Sequence, residues 1–320
     1  MLESNVHFPT DISLLWDVAR KSLDLIGYLI EGQAGNGWRK YRNWQKRVKN
    51  RFQVANRIMT RGGRNHQTRF ARAVLAYLQL TGQLRTKIRD SKAALWAIAE
   101  GCERREDCFD LLEYFEVMLY KHVALVRRRV IFKDSIPQAE KVFSVFEPWV
   151  RWVNKGKSGG RIELGLPITI ATDQFGFILA HRVMETENDV DMAVPVAEAV
   201  LSMGKVDSIS YDRGYWSPDN FRKLAHRVRL LVMPKKGRRD KQEAEREGNR
   251  EFKQLRRAHA AVESDINALE HHGLNRCPDR GLIRFCRYTA LGILALNLHR
   301  LGNILIERER GPTRRSRAAA

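Results

Sequence analysis

Cysteine is scarce in this sequence and acid is in deficit, and each shortage narrows what the chain can be. Four cysteines stand among 320 residues, Cys102, Cys108, Cys277 and Cys286, and no two form a C-x-x-C pair. Neither a disulfide framework nor a standard zinc knuckle is expected, even with His271 and His272 close to Cys277; the four read as reduced structural thiols. No uninterrupted apolar run reaches the about 18 residues of a membrane span, and the first residues, MLESNVHFPTD, have neither the basic nor the apolar stretch of a signal peptide. The expected location is the cytoplasm, with no membrane partner. A nucleotide-binding phosphate loop is missing too. Lys155-Gly156-Lys157-Ser158-Gly159-Gly160 has that composition in the wrong order, which excludes P-loop hydrolysis and leaves a basic loop that can touch a nucleic-acid backbone. Asp and Glu together number 37 against 57 Lys and Arg, a net charge of +20 that favours a polyanionic partner, nucleic acid first.

What is present is a globular chain, 43% hydrophobic, long enough for one large domain or two ordinary ones. Its first half reads as helix. Leu14, Leu15, Val18, Leu23, Ile26 and Ile30 recur at three- and four-residue steps, so the spacing predicts a helix over Ile12 to Ile30, capped by Thr10 or Asp11 and ended by Gly32. Trp38 to Ile58 has helical spacing and dense positive charge, with Arg39, Lys40, Arg42, Lys46 and Arg47 interleaved with Trp38, Tyr41 and Trp44. That pattern suits a solvated charged face over an aromatic stripe, or a helix that tracks phosphates while its aromatics pack inward. Gly62-Gly63 breaks it. Further helices are expected over Phe70 to Gln79, Lys92 to Cys102 and Cys108 to Phe132, with His66 and His122 as polar edges of packed helices.

The second half alternates strand and helix. Trp149 to Gly160 reads as a basic loop. Leu166 to Thr172 and Phe177 to Val183 form a hairpin about the turn Asp173-Gln174-Phe175-Gly176, and Asp189 to Met203 is helical. Val206 to Tyr211 follows as a strand, then a helix begun by Ser217 and Pro218, then a strand at Leu230 to Met233. Pro234 to Gly248 reads as a charged connector, Arg250 to Glu270 as one helix, and Leu282 to Leu305 as an apolar helix that covers the sheet. The order implies an α/β domain with a mixed sheet.

Two carboxylates stand out. Asp212 ends the strand ahead of a helix start, where open α/β sheets place chemistry and where a turn-forming aspartate is equally at home. Glu263 shares a helix face with Asn267 and Glu270, beside an apolar stripe of Val262, Ile266 and Leu269; on its own that face suits solvent as well as a site.

The motifs around both carboxylates resemble those of bacterial insertion-sequence transposases of the DDE type. Asp212-Arg213-Gly214-Tyr215 with Ser217 and Asn220 matches D-x-G-Y/F-x-S-x-x-N, Pro234-Lys235-Lys236-Gly237 matches a basic P-K-[KR]-G loop, and Arg256 through Leu274 matches R-x-x-H-x-x-V-E-S-x-I-N-x-L-E-H-x-G-L. The resemblance runs from NVHFPTD to about Gly302. It implies an RNase H-like catalytic domain over residues 136–306, a helical insertion over 11–135, a remnant of the first catalytic strand over 1–10 and a basic tail over 307–320. It makes Asp212 the second and Glu263 the third residue of an acidic triad that holds two Mg²⁺ or Mn²⁺ ions. The implied partner is double-stranded DNA at transposon ends and target, bound by a chain that oligomerises on it in the nucleoid. Arg39, Lys40, Arg42, Lys46, Arg47, Lys155, Lys157, Lys235 and Lys236 are the expected DNA contacts. The triad's first aspartate, from a D-T-T-x-x-E-[ST]-N motif, would precede Glu3-Ser4-Asn5 and Met1, and Glu3, Glu147 and Asp173 lack that motif. The expectation is a chain that binds DNA with impaired cleavage. A non-catalytic DNA-binding remnant or regulator is the second reading.

Overall fold

The computed structural model describes residues 1–6, 9–33, 37–137, 140–154 and 162–310. Two compact units divide the chain, His7–Pro148 and a second built from Met1–Val6 with Trp149–Ala320. The boundary thus falls at Pro148, some residues beyond the expected 135, and the N-terminal strand belongs with the C-terminal half.

The His7–Pro148 unit is helical: α1 (Asp11–Leu29), α2 (Tyr41–Arg61), α3 (His66–Asp90), α4 (Lys92–Ala99) and α5 (Glu103–Val126), the last continuing into a π-helical turn, Arg127–Phe132. Thr10 starts α1 with a reciprocal cap: its hydroxyl accepts from Ser13 N at 3.2 Å, and Ser13 Oγ accepts from Thr10 N at 2.9 Å. The apolar face of α1, from Ile12 to Leu29, then packs into one core with Trp38, Tyr77, Leu84 and Phe115. Gly27 lets α2 come close, for a Cβ there would sit 2.6 Å from the Tyr41 ring. α3 is longer than its spacing suggested, because Leu80, Leu84 and Ile88 keep the buried face going past Gln79. His66 is no free edge. It turns back to the Ile58 carbonyl at 2.8 Å and stacks on Phe70, pinning the α2–α3 corner. His122 differs more: it is fully buried, and neither ring nitrogen has a hydrogen-bond partner among the described residues.

The second unit mixes helix and sheet, an α/β arrangement with seven short strands among the described residues. β1 (Leu2–Glu3) and β2 (Arg151–Asn154) flank β3 (Ile162–Leu166), all antiparallel. β4 (Ile168–Thr172) and β5 (Ile178–Val183) form the expected hairpin, and β6 (Ser208–Ser210) pairs with β7 (Leu230–Val232) in parallel. Instead of one mixed sheet there are three small ones. Pro167, which has no N–H to give a ladder, separates β3 from β4. Part of the expected basic loop is strand, since Arg151–Asn154 pairs with β3 along Trp152 and Val153.

Helices complete this unit: α6 (Asp189–Leu201), α7 (Pro218–Leu224), α8 (Lys241–Gly248), α9 (Arg250–Ala258), α10 (Ala261–Leu269) and α11 (Leu282–Arg310). The connector Pro234 to Gly248 contains α8, which Asp240 and Glu243 cap reciprocally. The single helix expected over Arg250 to Glu270 is two, parted at His259-Ala260, with a π-helical turn Glu270–Leu274 behind α10. The expected apolar stripe of α10 is also rotated. Ile266 is 40% exposed, while Asp265 is buried and paired with Arg300 at 2.6 Å, and Leu269 joins the core with Leu2, Leu166, Ile178 and Phe285. α11 extends through Arg310, beyond the expected start of the tail; residues 311–320 lie outside the described residues. Its buried Phe285, Ile293 and Leu296 pack with Leu166 of β3 and Ile178 of β5, so this face covers sheet residues as expected, while Leu291, Leu294, Leu298, Leu301 and Leu305 face outward. By length and composition α11 is apolar enough to cross a membrane, which no uninterrupted run had suggested.

Candidate functional site

Tyr211 still donates its backbone N–H to the Val232 carbonyl of β7 at 2.8 Å, and the chain leaves the ladder at Asp212 for a 3₁₀ turn, Arg213–Tyr215. Tyr211 anchors this exit: its ring is buried and its hydroxyl donates to the Ala193 carbonyl at 2.7 Å. Asp212 caps the turn, its Oδ1 accepting from Arg213 N at 2.6 Å, which leaves its other oxygen on an exposed surface. Ser217 then caps α7 through Asn220 N at 3.1 Å. Asn220, itself buried, donates to the carbonyls of Val190 (2.7 Å) and Tyr215 (3.0 Å). The D-x-G-Y-x-S-x-x-N pattern is thus a hydrogen-bonded strand-to-helix elbow that presents one carboxylate.

Gly214 and Tyr215 bring a second acid in. A Cβ on Gly214 would lie 2.9 Å from Asp189 Oδ2, so the glycine makes room for that carboxylate. Tyr215 bonds Thr169 of β4 at 2.5 Å; burial raises its phenol, the Thr169 bond works against that, and the charges of Asp189 and Asp212 add to the rise. Asp189 had looked like nothing more than the first residue of a helix, and no motif around it signals otherwise.

Glu263 is exposed in the first turn of α10, one turn after His259. Burial lowers His259 below the usual imidazole range, while Asp212 and then Glu263 pull it back up. The charges of both motif carboxylates thus act on the same imidazole, against the larger effect of burial. The i, i+4 spacing of His259 and Glu263 was the available signal for this residue.

The alternatives to a first acid are committed elsewhere. Asp173 Oδ1 accepts from Phe175 N and Phe177 N and so builds the β4–β5 turn. Glu147 is buried in the helical unit, and Glu3 lies on β1 against Gly165. Among the described residues no group of three His, Cys, Asp or Glu side chains is placed to hold a metal ion. Asp212 and Glu263 suit Mg²⁺ in kind, as hard carboxylate oxygens, and fall short in number.

The basic residues separate by environment. On α2 only Val48 and Ala55 are buried, and Lys46, Arg47, Lys49, Arg51 and Arg57 stand exposed around the helix. Arg47 lies over Trp44 at 5.0 Å and Arg42 over Tyr41 at 5.8 Å, while Trp44 and Phe52 pack inward, Phe52 stacked on Trp16 at 5.7 Å. Arg39 and Arg42 border an open cavity of about 1040 Å³ shared with Asp24 and Glu31; Lys40 is exposed beside it. At the α2–α3 corner a cavity of about 360 Å³ is lined by Arg64, Asn65, Thr68, Arg69 and Arg72 and by no acid. Lys235 instead pairs with Glu243 at 2.5 Å, its N–H bonds Glu247, and its ammonium sits 5.5 Å from the Trp216 ring. Lys236 is exposed, and Lys155 and Lys157 lie outside the described residues. Compared with protein-family models, curated proteins and solved structures, the chain matches none.

Proposed function

We propose that this chain acts on double-stranded DNA as a DDE-type transposase does, with Asp212 and Glu263 as two carboxylates of an RNase H-like site. The observation that carries this reading is the hydrogen-bonded elbow of Tyr211, Ser217 and Asn220, which holds Asp212 exposed at the end of β6, with the second motif carboxylate, Glu263, exposed on the later helix α10. The parallel β6–β7 pair joined through α7, with Asp212 at the end of β6 and Glu263 on a later helix, supports the RNase H-like assignment.

In this reading Asp212 and Glu263 would hold Mg²⁺ or Mn²⁺, which when bound supplies activation of water or a 3′-hydroxyl for in-line displacement at a phosphodiester. The chain's own residues do the positioning. Ser217, Asn220 and Tyr211 fix the elbow that carries Asp212, and the Thr169–Tyr215 bond ties that elbow to the β4–β5 hairpin. The exposed cations of α2 and the arginines of the α2–α3 corner would hold the backbone of transposon-end and target DNA. Such a protein would work in the cytoplasm on the nucleoid.

Two motif carboxylates are fewer than the three of an intact site, so this reading expects weak strand cleavage. DNA binding without cleavage is the second reading, favoured by the absence of a three-ligand group among the described residues. Incubating the chain with end-bearing duplexes in Mg²⁺ or Mn²⁺ separates the two: weak cleavage abolished by Asp212→Asn supports the enzyme, and retarded but intact DNA supports the binder. A chain that neither binds nor cuts DNA refutes both.

A further inference from the structure

The ring of His272 lies against that of His299, with centroids 5.1 Å apart and planes tilted by 53°. The two come from different elements, the π-helical turn Glu270–Leu274 and α11, and both are exposed. Two imidazoles that hold one Zn²⁺ at about 2.0–2.1 Å under a tetrahedral angle have ring centres about 5 Å apart. We propose that His272 and His299 are two nitrogen ligands of a transition-metal site, Zn²⁺ first, which fastens the turn behind α10 to α11. The inference stands on this pair and its supports alone and does not depend on the transposase reading.

The pair is held in place before any ion arrives. Tyr288, Gly292 and His299 share one face of α11 at i, i+4 and i+11. Tyr288 donates its hydroxyl to the carbonyl of Gly273, the residue after His272, at 2.9 Å. The turn closes there because Gly273 takes a φ of 96°, a conformation that favours glycine. Gly292 then lets the turn come close, for a Cβ there would meet Leu274 Cγ at 2.7 Å. One residue beyond His299, Arg300 pairs with Asp265 at 2.6 Å, which ties α11 to α10 and commits the cation next to His299 in sequence to an acid. A turn pinned just after His272 and a helix pinned beside His299 leave little ordering cost for the ion.

The donor set chooses the class of metal. Neutral imidazole suits Zn²⁺, Cu²⁺ and Ni²⁺, whereas Mg²⁺ keeps to hard oxygens, so this pair and the Asp212 and Glu263 carboxylates favour different ions. Two imidazoles fill two of four tetrahedral positions and leave the others to water, an open site rather than a closed structural one. The pair is not half of a cysteine knuckle: Cys277, the thiol nearest to His272 in sequence, is buried in the core with Leu2, Leu166 and Phe285.

The test is calorimetric titration of Zn²⁺ into the full, untagged, chelator-stripped chain, for the parent, His272→Asn, His299→Asn, His226→Asn and Cys102→Ser. Expected is a saturable site of one ion per chain that either pair substitution weakens at least about tenfold and that excess Mg²⁺ does not displace. His226 and Cys102, exposed donors on other elements, are replaced without effect. The pair is exposed, so unchanged circular dichroism shows that lost binding is not a lost fold. Cu²⁺ serves as a second probe on the same proteins. Its electron paramagnetic resonance spectrum should show coupling to two imidazole nitrogens in the parent and to one in either pair variant, a readout that misfolding does not mimic. Zn²⁺ binding that survives both pair substitutions, that falls equally in Cys102→Ser, or that Mg²⁺ displaces overturns the proposal. A chain that takes up no Zn²⁺ overturns it as well and leaves the contact as ring packing.

Discussion

Asn297 satisfies both backbone groups of Ile178: its Oδ1 accepts from Ile178 N at 3.0 Å and its Nδ2 donates to Ile178 O at 2.9 Å. One amide thus substitutes for a missing neighbour strand where β5 begins beside a register shift in the β4–β5 ladder. Asn297→Ala strands a partly buried donor and acceptor together, at a cost of about 2–3 kcal/mol. Chemical denaturation checks it, and Asn297→Asp, which keeps only the acceptor, should fall between.

Gly165 meets a harder limit. A Cβ there would lie 2.0 Å from the Leu2 carbonyl oxygen, backbone that cannot swing aside. Gly165→Ala therefore lifts β1 from β3, with a loss of about 2–3 kcal/mol. The expected signature is faster amide exchange at Ser4, whose N–H bonds Leu164 O at 2.7 Å, with the helical unit unaffected. Unchanged exchange at Ser4 would contradict the pairing.

His122 gives the helical unit a pH dependence. Burial, with Lys121 adding to it, lowers its pKa from 6.5 to about 4. The folded state thus holds the ring neutral over a range where the unfolded chain takes a proton. The contribution to stability is complete above pH 6.5 and is lost as pH falls from 6.5 towards 4, in total about 3 kcal/mol. His122→Leu should flatten that part of the stability curve, as read by urea unfolding at pH 7 and pH 4.5.

The α2–α3 corner predicts a salt slope. Arg64, Arg69 and Arg72 surround one cavity without an acid. Replacing all three with Ala should weaken duplex DNA binding irrespective of sequence and lower the slope of log K against log salt by about 2–3. A slope equal to that of the parent chain would place the DNA elsewhere.

Legibility differed by the kind of signal. Helix α1 was readable because apolar spacing and a Thr10 cap agree. The Asp212 elbow was readable because Ser217, Pro218 and Asn220 each have a fixed local job. α8 was missed because its charged sequence has no apolar period and its signature is the Asp240–Glu243 cap alone. The rotation of α10 was illegible for another reason: an aspartate faces inward only because Arg300, 35 residues on, meets it. Asp189 and the α2–α3 arginine corner depend on contacts between distant segments or on the fold of a turn, which spacing does not report.

The central claim is that Asp212 and Glu263 form one site. The direct measurement is a titration of Mn²⁺ into the full chain, followed by electron paramagnetic resonance, for the parent, Asp212→Asn, Glu263→Gln and the double variant. One site predicts that each single substitution weakens Mn²⁺ binding about tenfold or more and that the double variant is little worse than either. Binding unchanged in either single variant, or losses that simply add in the double, would show two separate surface carboxylates and contradict the account.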